Sequence, residues 1–208
     1  METVINNDEQ VEMVKRQIRN KLESIFNNLL KRDDRVIFEL VMYSSFKEMV
    51  ESFLILSEHG YELGASSLIR TMYETILWYE ARFNIHPDDV EDFDTFFINK
   101  KLSEYKNKDG KKFTFSMLHK SFIKKVNLGT EKENAQLNKL YEYLNGYTHI
   151  SSNHINKTAE KDDDQIIIKG NIPHLGTGTK LKYHYNQLTV VYMVVSLYAL
   201  CQQIFDEV

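Results

Sequence analysis

The sequence predicts a mainly α-helical protein, a helical bundle of about seven helices with a small β-hairpin insertion before the C-terminal helix. Apolar residues recur at steps of three and four over most of the chain. Two Pro and eight Gly in 208 residues are too few for a turn-rich sandwich or barrel. The one stretch that breaks helical period, around residues 162–185, is short and lies late in the chain. At 42% hydrophobic the chain is long enough for one substantial core, so residues 1–208 are expected to form a single helical domain.

The first helix is expected over residues 8–31, with Val11, Val14, Ile18, Leu22, Ile25 and Leu29 on one stripe and Asn7 or Asp8 placed to cap it. Lys31-Arg32-Asp33-Asp34 ends it. A second helix runs to about His59, with Phe38, Val41, Met42, Ser45, Met49, Phe53 and Leu56 as its inner face and Gly60 as its stop. The third begins between Tyr61 and Ala65 and ends before Pro87. A fourth starts at Pro87 or Asp88, with acids at its positive end and Val90, Phe93, Phe96, Phe97 and Leu102 as its apolar set. Asn107 to Lys112 form a turn, and a short fifth helix covers Ser116 to Lys125. Thr130-Glu131-Lys132-Glu133 reads as a capping box opening a sixth, with Leu137, Leu140, Tyr141, Leu144 and Tyr147 inside. Ile166 to Lys169 and Leu181 to Tyr185 read as the two strands of a hairpin within 165–185, and the last helix as Asn186 to Phe205.

The single Cys201 allows no intrachain disulfide, and the acidic start lacks the charged and apolar regions of a signal peptide, so a cytoplasmic protein is expected. Leu188 to Cys201 is the longest apolar run and falls short of the roughly 20 residues that span a bilayer. No membrane association is expected. That run holds more apolar surface than one helix face needs, which points to a homodimer built on the last helix.

A net charge of −4 gives no global attraction to nucleic acid. Between Lys100 and Lys125, however, nine lysines fall among only two acids, with Tyr105, Phe113, Phe115, His119 and Phe122 interleaved. Lys111, Lys112, Lys124 and Lys125 are therefore candidate contacts to RNA, set against the plainer reading of a solvated face whose rings point inward.

Arg70 and Glu74 lie one turn apart on a helix whose other positions, Leu68, Ile69, Met72, Tyr73, Ile76, Leu77 and Trp78, are apolar. A charge in such a wall must be paired or used, because burying it unpaired costs several kcal/mol. His149 is the expected partner, and Tyr147, Ser151, Asn153 and His154 around it are small or polar groups fit to line a ligand site. Arg70, Glu74 and His149 are thus the candidate catalytic set. His149 and His154 lack the one-face spacing of helical metal ligands and have no Cys partner, so no metal or other cofactor is expected. P-loop, nucleophile-elbow and dinucleotide motifs are absent.

The run Gly60 to Glu74, with Leu68-Ile69-Arg70-Thr71-Met72-Tyr73-Glu74 at its centre, and the later Tyr143-x-x-x-Gly146-Tyr147-x-His149 resemble a group of bacterial all-helical proteins. These carry an Arg-x-x-x-Glu helix and a later His element, and are similar to the HEPN superfamily of prokaryotic defence and toxin–antitoxin systems, phage defence among them. The resemblance covers residues 35–155. It implies an all-α bundle, often dimeric, a partner protein within a defence system and, in active members, a metal-independent ribonuclease built on Arg-x4-6-His. This chain departs from that motif: Arg82 and His86 have three residues between them, and the Tyr143 to Gly146 segment occupies the position of an arginine ahead of His149. Two readings follow. One is a ribonuclease in which Arg70 holds the phosphate, His149 is general acid and base, and Glu74 fixes Arg70. The other is a non-catalytic binding or regulatory module whose polar cluster is structural.

Overall fold

The computed structural model describes residues 7–31, 37–82, 85, 87–99, 104–106, 110–126, 131–145, 159–162, 165–168 and 177–206. It is mainly helical, with seven α-helices among the described residues: α1 Asn7–Lys31, α2 Ile37–Glu58, α3 Glu62–Arg82, α4 Val90–Ile98, α5 Phe115–Val126, α6 Glu131–Asn145 and α7 Thr177–Asp206. A 3-10 turn, Pro87–Asp89, leads into α4.

The amphipathic stripe of α1 is buried at every expected position, from Val11 to Leu29. On α2 the inner face is turned slightly from the expected one: Phe46 and Val50 are buried, whereas Ser45 faces solvent. The helix ends as a Schellman motif. Gly60 takes φ +79°, its N–H bonds Ser57 O at 3.1 Å, and the Tyr61 N–H reaches Leu56 O at 2.9 Å. A side chain at that φ would be strained, so Gly60 fixes the reversal that lays α3 back along α2.

α3 is the hub, touching α2, α7, α5 and α6, and from Ile76 to Ala81 it is buried on all sides. Its C-terminal end is tied to α4 by Arg82, whose Nε and Nη2 donate to the two carboxylate oxygens of Asp94 at 2.7 and 2.9 Å. The guanidinium also lies over the Phe38 ring of α2. Phe38, Trp78, Tyr79, Phe93 and Tyr105 carry the aromatic packing onward from there.

One expectation is corrected. Leu181 to Tyr185 do not form a strand; they belong to α7, which begins at Thr177 rather than near Asn186. Five alternating residues fit either period, and a helix already nucleated gains one hydrogen bond for each residue it adds, so the helix extends through them. The hairpin expected from 166–169 and 181–185 is therefore not formed. Ile166 to Ile168 belong to a four-residue strand, Gln165–Ile168, paired antiparallel with Ala159–Asp162 instead.

α7 packs against α1, α3 and α2 of its own chain, with Leu188, Val191, Val194, Val195, Tyr198 and Cys201 buried. Val190, Tyr192, Met193, Ala199 and Leu200 of the same run stay half-buried. No helix among the described residues is long and apolar enough to cross a membrane.

Candidate functional site

Arg70 sits on the part of α3 that faces α5 and α6, and only 7% of it is exposed. Its Nη1 donates to Asn145 Oδ1, at the last residue of α6, at 2.7 Å. The guanidinium lies over the Phe115 ring at the first turn of α5. Its Nε is buried without a hydrogen-bond partner among the described residues. Burial pulls the guanidinium below its ordinary pKa, opposed by the charge of Glu74 and by Tyr141 and Tyr73.

Glu74 is half-buried one turn along α3 and forms no direct ion pair with Arg70; it acts through space. The guanidinium is turned instead toward α5 and α6 and contacts those helices. Arginine tolerates this better than lysine, since its charge is delocalised and its flat face stacks on a ring. A desolvated cation–π contact is worth about 2 kcal/mol, and a hydrogen bond from a charged donor about 1.5 to 3, which together offset much of the burial cost.

Beside Arg70 lies a histidine that sequence reasoning grouped with the rings of the lysine stretch and gave no role of its own. His119 of α5 is buried, stacked on Tyr141 of α6 with centroids 4.2 Å apart. Its Nε2 lies 3.1 Å from Asn138 Oδ1, and its Nδ1 lies 2.9 Å from the Tyr73 hydroxyl. The Asn138 oxygen can only accept, so the ring proton belongs on Nε2 and Tyr73 donates to Nδ1. The result is a line of hydrogen bonds from α3 through α5 to α6. Burial holds His119 below the ordinary imidazole range; the Asn138 bond pulls the other way, and the Arg70 charge adds to the depression. Burial likewise pushes the Tyr73 phenol well up. At neutral pH both groups are uncharged, and this site carries one cation, Arg70.

The signal for His119 was present in the sequence. Phe115, Leu118, His119 and Phe122 recur at steps of three, one and three, the inner stripe of a helix. Its place among lysines obscured that stripe.

His149, Tyr147, Ser151, Asn153 and His154 lie outside the described residues. Lys111, Lys112, Lys120 and Lys124 are exposed, while Phe113 and Phe115 are half-buried and Tyr105 and Phe122 buried, so the interleaved rings serve the core. Lys112 precedes α5 and pairs with Lys106 in an isolated bridge, whereas Lys124 and Lys125 lie in the last turn of α5, so the length of the helix separates the two pairs. Lys125 is 3.8 Å from the buried carboxylate of Glu80. Among the described residues no group of His, Cys, Asp and Glu could hold a metal ion.

Comparison of the chain with protein-family models, with curated proteins and with solved structures finds no match.

Proposed function

We propose that this protein is a non-catalytic helical binding or regulatory module, and that its Arg70 cluster fastens α3, α5 and α6 together. The observation that carries this reading is the enclosure of Arg70: it is all but buried, bonded to Asn145 and covered by Phe115. A residue that grips a scissile phosphate needs free donors facing a cleft. The basic outer face of α5, with Lys120 and Lys124 one turn apart and both exposed, is the surface that offers itself to a polyanionic partner. With its rings turned inward, such binding is electrostatic, not sequence-reading. In the HEPN-like setting the motifs suggest, this is the place of the regulatory or RNA-holding component of a bacterial defence or toxin–antitoxin pair.

One observation favours the ribonuclease reading. Asn145, which Arg70 holds, is the last residue of α6, and His149 follows it by four residues. Labelled RNA incubated with the protein at low salt and with chelator separates the two readings. Retention without cleavage supports the module. Cleavage that is lost in both Arg70→Lys and His149→Ala replaces it with the enzyme.

A further inference from the structure

A second polar cluster occupies the junction of α2, α3 and α7. Ser57 of α2, Ser66 of α3 and Gln187 of α7 are buried, and His184 of α7 is half-buried beside them. The Ser57 hydroxyl donates to Gln187 Oε1 at 3.0 Å, and Gln187 Nε2 donates to Ser66 Oγ at 3.1 Å. Ser57 has then spent its one proton, so its close contact with His184 Nδ1 requires the ring proton on Nδ1. Neutral His184 is left with a bare lone pair on Nε2, and that atom is buried with no partner among the described residues.

The charged groups facing the ring are Lys15 and Glu12 of α1 and Glu58 of α2; α3 supplies the Ser66 hydroxyl to the same network. Lys15 Nζ is 2.9 Å from Glu12 Oε1 and 3.4 Å from Glu58 Oε1, so its ammonium already occupies both carboxylates.

We propose that protonation of His184 releases α7 from the end of α2, which makes this junction an acid-sensitive latch. A second ring proton places an N–H on Nε2 where no described acceptor faces it, and the Lys15 ammonium opposes the added charge. Among the described residues the anions that act on the ring are Glu58 and Glu12, and turning Nε2 toward them takes Nδ1 off Ser57. The hydrogen-bond line to Gln187 and Ser66 then loses its first member. Burial, and after it Lys15, holds the ring below the ordinary imidazole range, with Glu58 and Glu12 opposing. The latch is therefore closed at neutral pH and opens as pH falls below about 6.5, the ordinary histidine value.

Amide hydrogen exchange of the full chain, corrected for the intrinsic effect of pH, tests this. Between about pH 7.5 and about pH 5.5, protection in the last turn of α2 and around residues 184–191 is expected to fall roughly tenfold, the equivalent of one pKa unit, and to fall less in α5. His184→Asn keeps a donor near the Nδ1 position and cannot take a second proton, so it abolishes the acid response. If that variant fails to fold, Lys15→Met gives the reading instead: without the opposing cation His184 protonates more easily in the folded state, and the acid response shrinks. No acid response in the wild type, a response spread evenly over the helices, or one retained in His184→Asn, or in Lys15→Met where His184→Asn does not fold, overturns the proposal.

Discussion

Two buried histidine networks meet on α3, and they differ in one respect. His119 has a partner for each ring nitrogen, Tyr73 on one side and Asn138 on the other. His184 has Ser57 on Nδ1 and, among the described residues, nothing on Nε2. Both rings are neutral for the same first reason, burial, and each lies near a cation, Arg70 in one case and Lys15 in the other. A histidine satisfied at both nitrogens is a lock between helices. One satisfied at a single nitrogen has a vacant site for a proton, and its environment decides whether that proton is tolerated.

The comparison is tested most severely by removing the lock. His119→Ala deletes a stacked ring and two hydrogen bonds, and strands the buried Tyr73 hydroxyl; a loss of about 3 to 5 kcal/mol in denaturant unfolding is expected. Ser57→Ala comes next at about 2 to 3 kcal/mol, since it takes the hydroxyl from both the His184 ring N–H and Gln187 Oε1. Tyr73→Phe should cost about 1 to 2 kcal/mol, because only one acceptor, His119 Nδ1, is left bare. A Tyr73→Phe loss larger than that of His119→Ala would show that the tyrosine hydroxyl serves something other than this line of bonds.

Titration sharpens the contrast. Both histidines bind protons less readily folded than unfolded, so between their folded-state values and about 6.5 the unfolded chain holds more protons. Stability is then full above about 6.5 and declines as pH falls through that value. Equilibrium unfolding across this window should show the decline in the wild type. The slope should be smaller in either His119→Gln or His184→Asn, and a slope unchanged in both would mean that neither ring governs it.

The smallest effect is expected at the basic face. Charge reversal at Lys111, Lys112, Lys120 and Lys124 should shift stability by no more than about 0.5 kcal/mol per site while removing any RNA retention at low salt. Lys125→Glu should behave differently and destabilise, because it brings a second carboxylate to the buried Glu80. Lys125 behaving like its neighbours in an unfolding assay would contradict that pairing.

How far the sequence was legible follows from what periodicity encodes. A strong stripe on a long helix was readable residue by residue, as on α1. The apolar wall around Arg70 on α3 was readable too, with Ile69, Met72, Tyr73, Ile76 and Leu77 buried. What periodicity does not encode is which helices meet. Arg70 was given His149 as partner and Glu74 as its i,i+4 neighbour, while the partner seen among the described residues, Asn145, is 75 positions away. Leu181 to Tyr185, with His184 among them, were read as a strand because five residues cannot distinguish a period of two from the flank of a longer helix. Nor does periodicity encode which part of the apolar run of α7 three helices of the same chain cover, and which part, with Tyr192 and Met193, stays half-buried.

The central claim is that the Arg70 cluster is a fastening, and a double-mutant cycle in equilibrium unfolding tests it most directly. Asn145→Leu strands a buried guanidinium donor and should cost about 1.5 to 3 kcal/mol. Arg70→Met combined with Asn145→Leu removes both partners and should recover much of that loss. An Asn145→Leu variant as stable as the wild type, or a double variant worse than the single, would show that Arg70 is neither sealed nor held by α6.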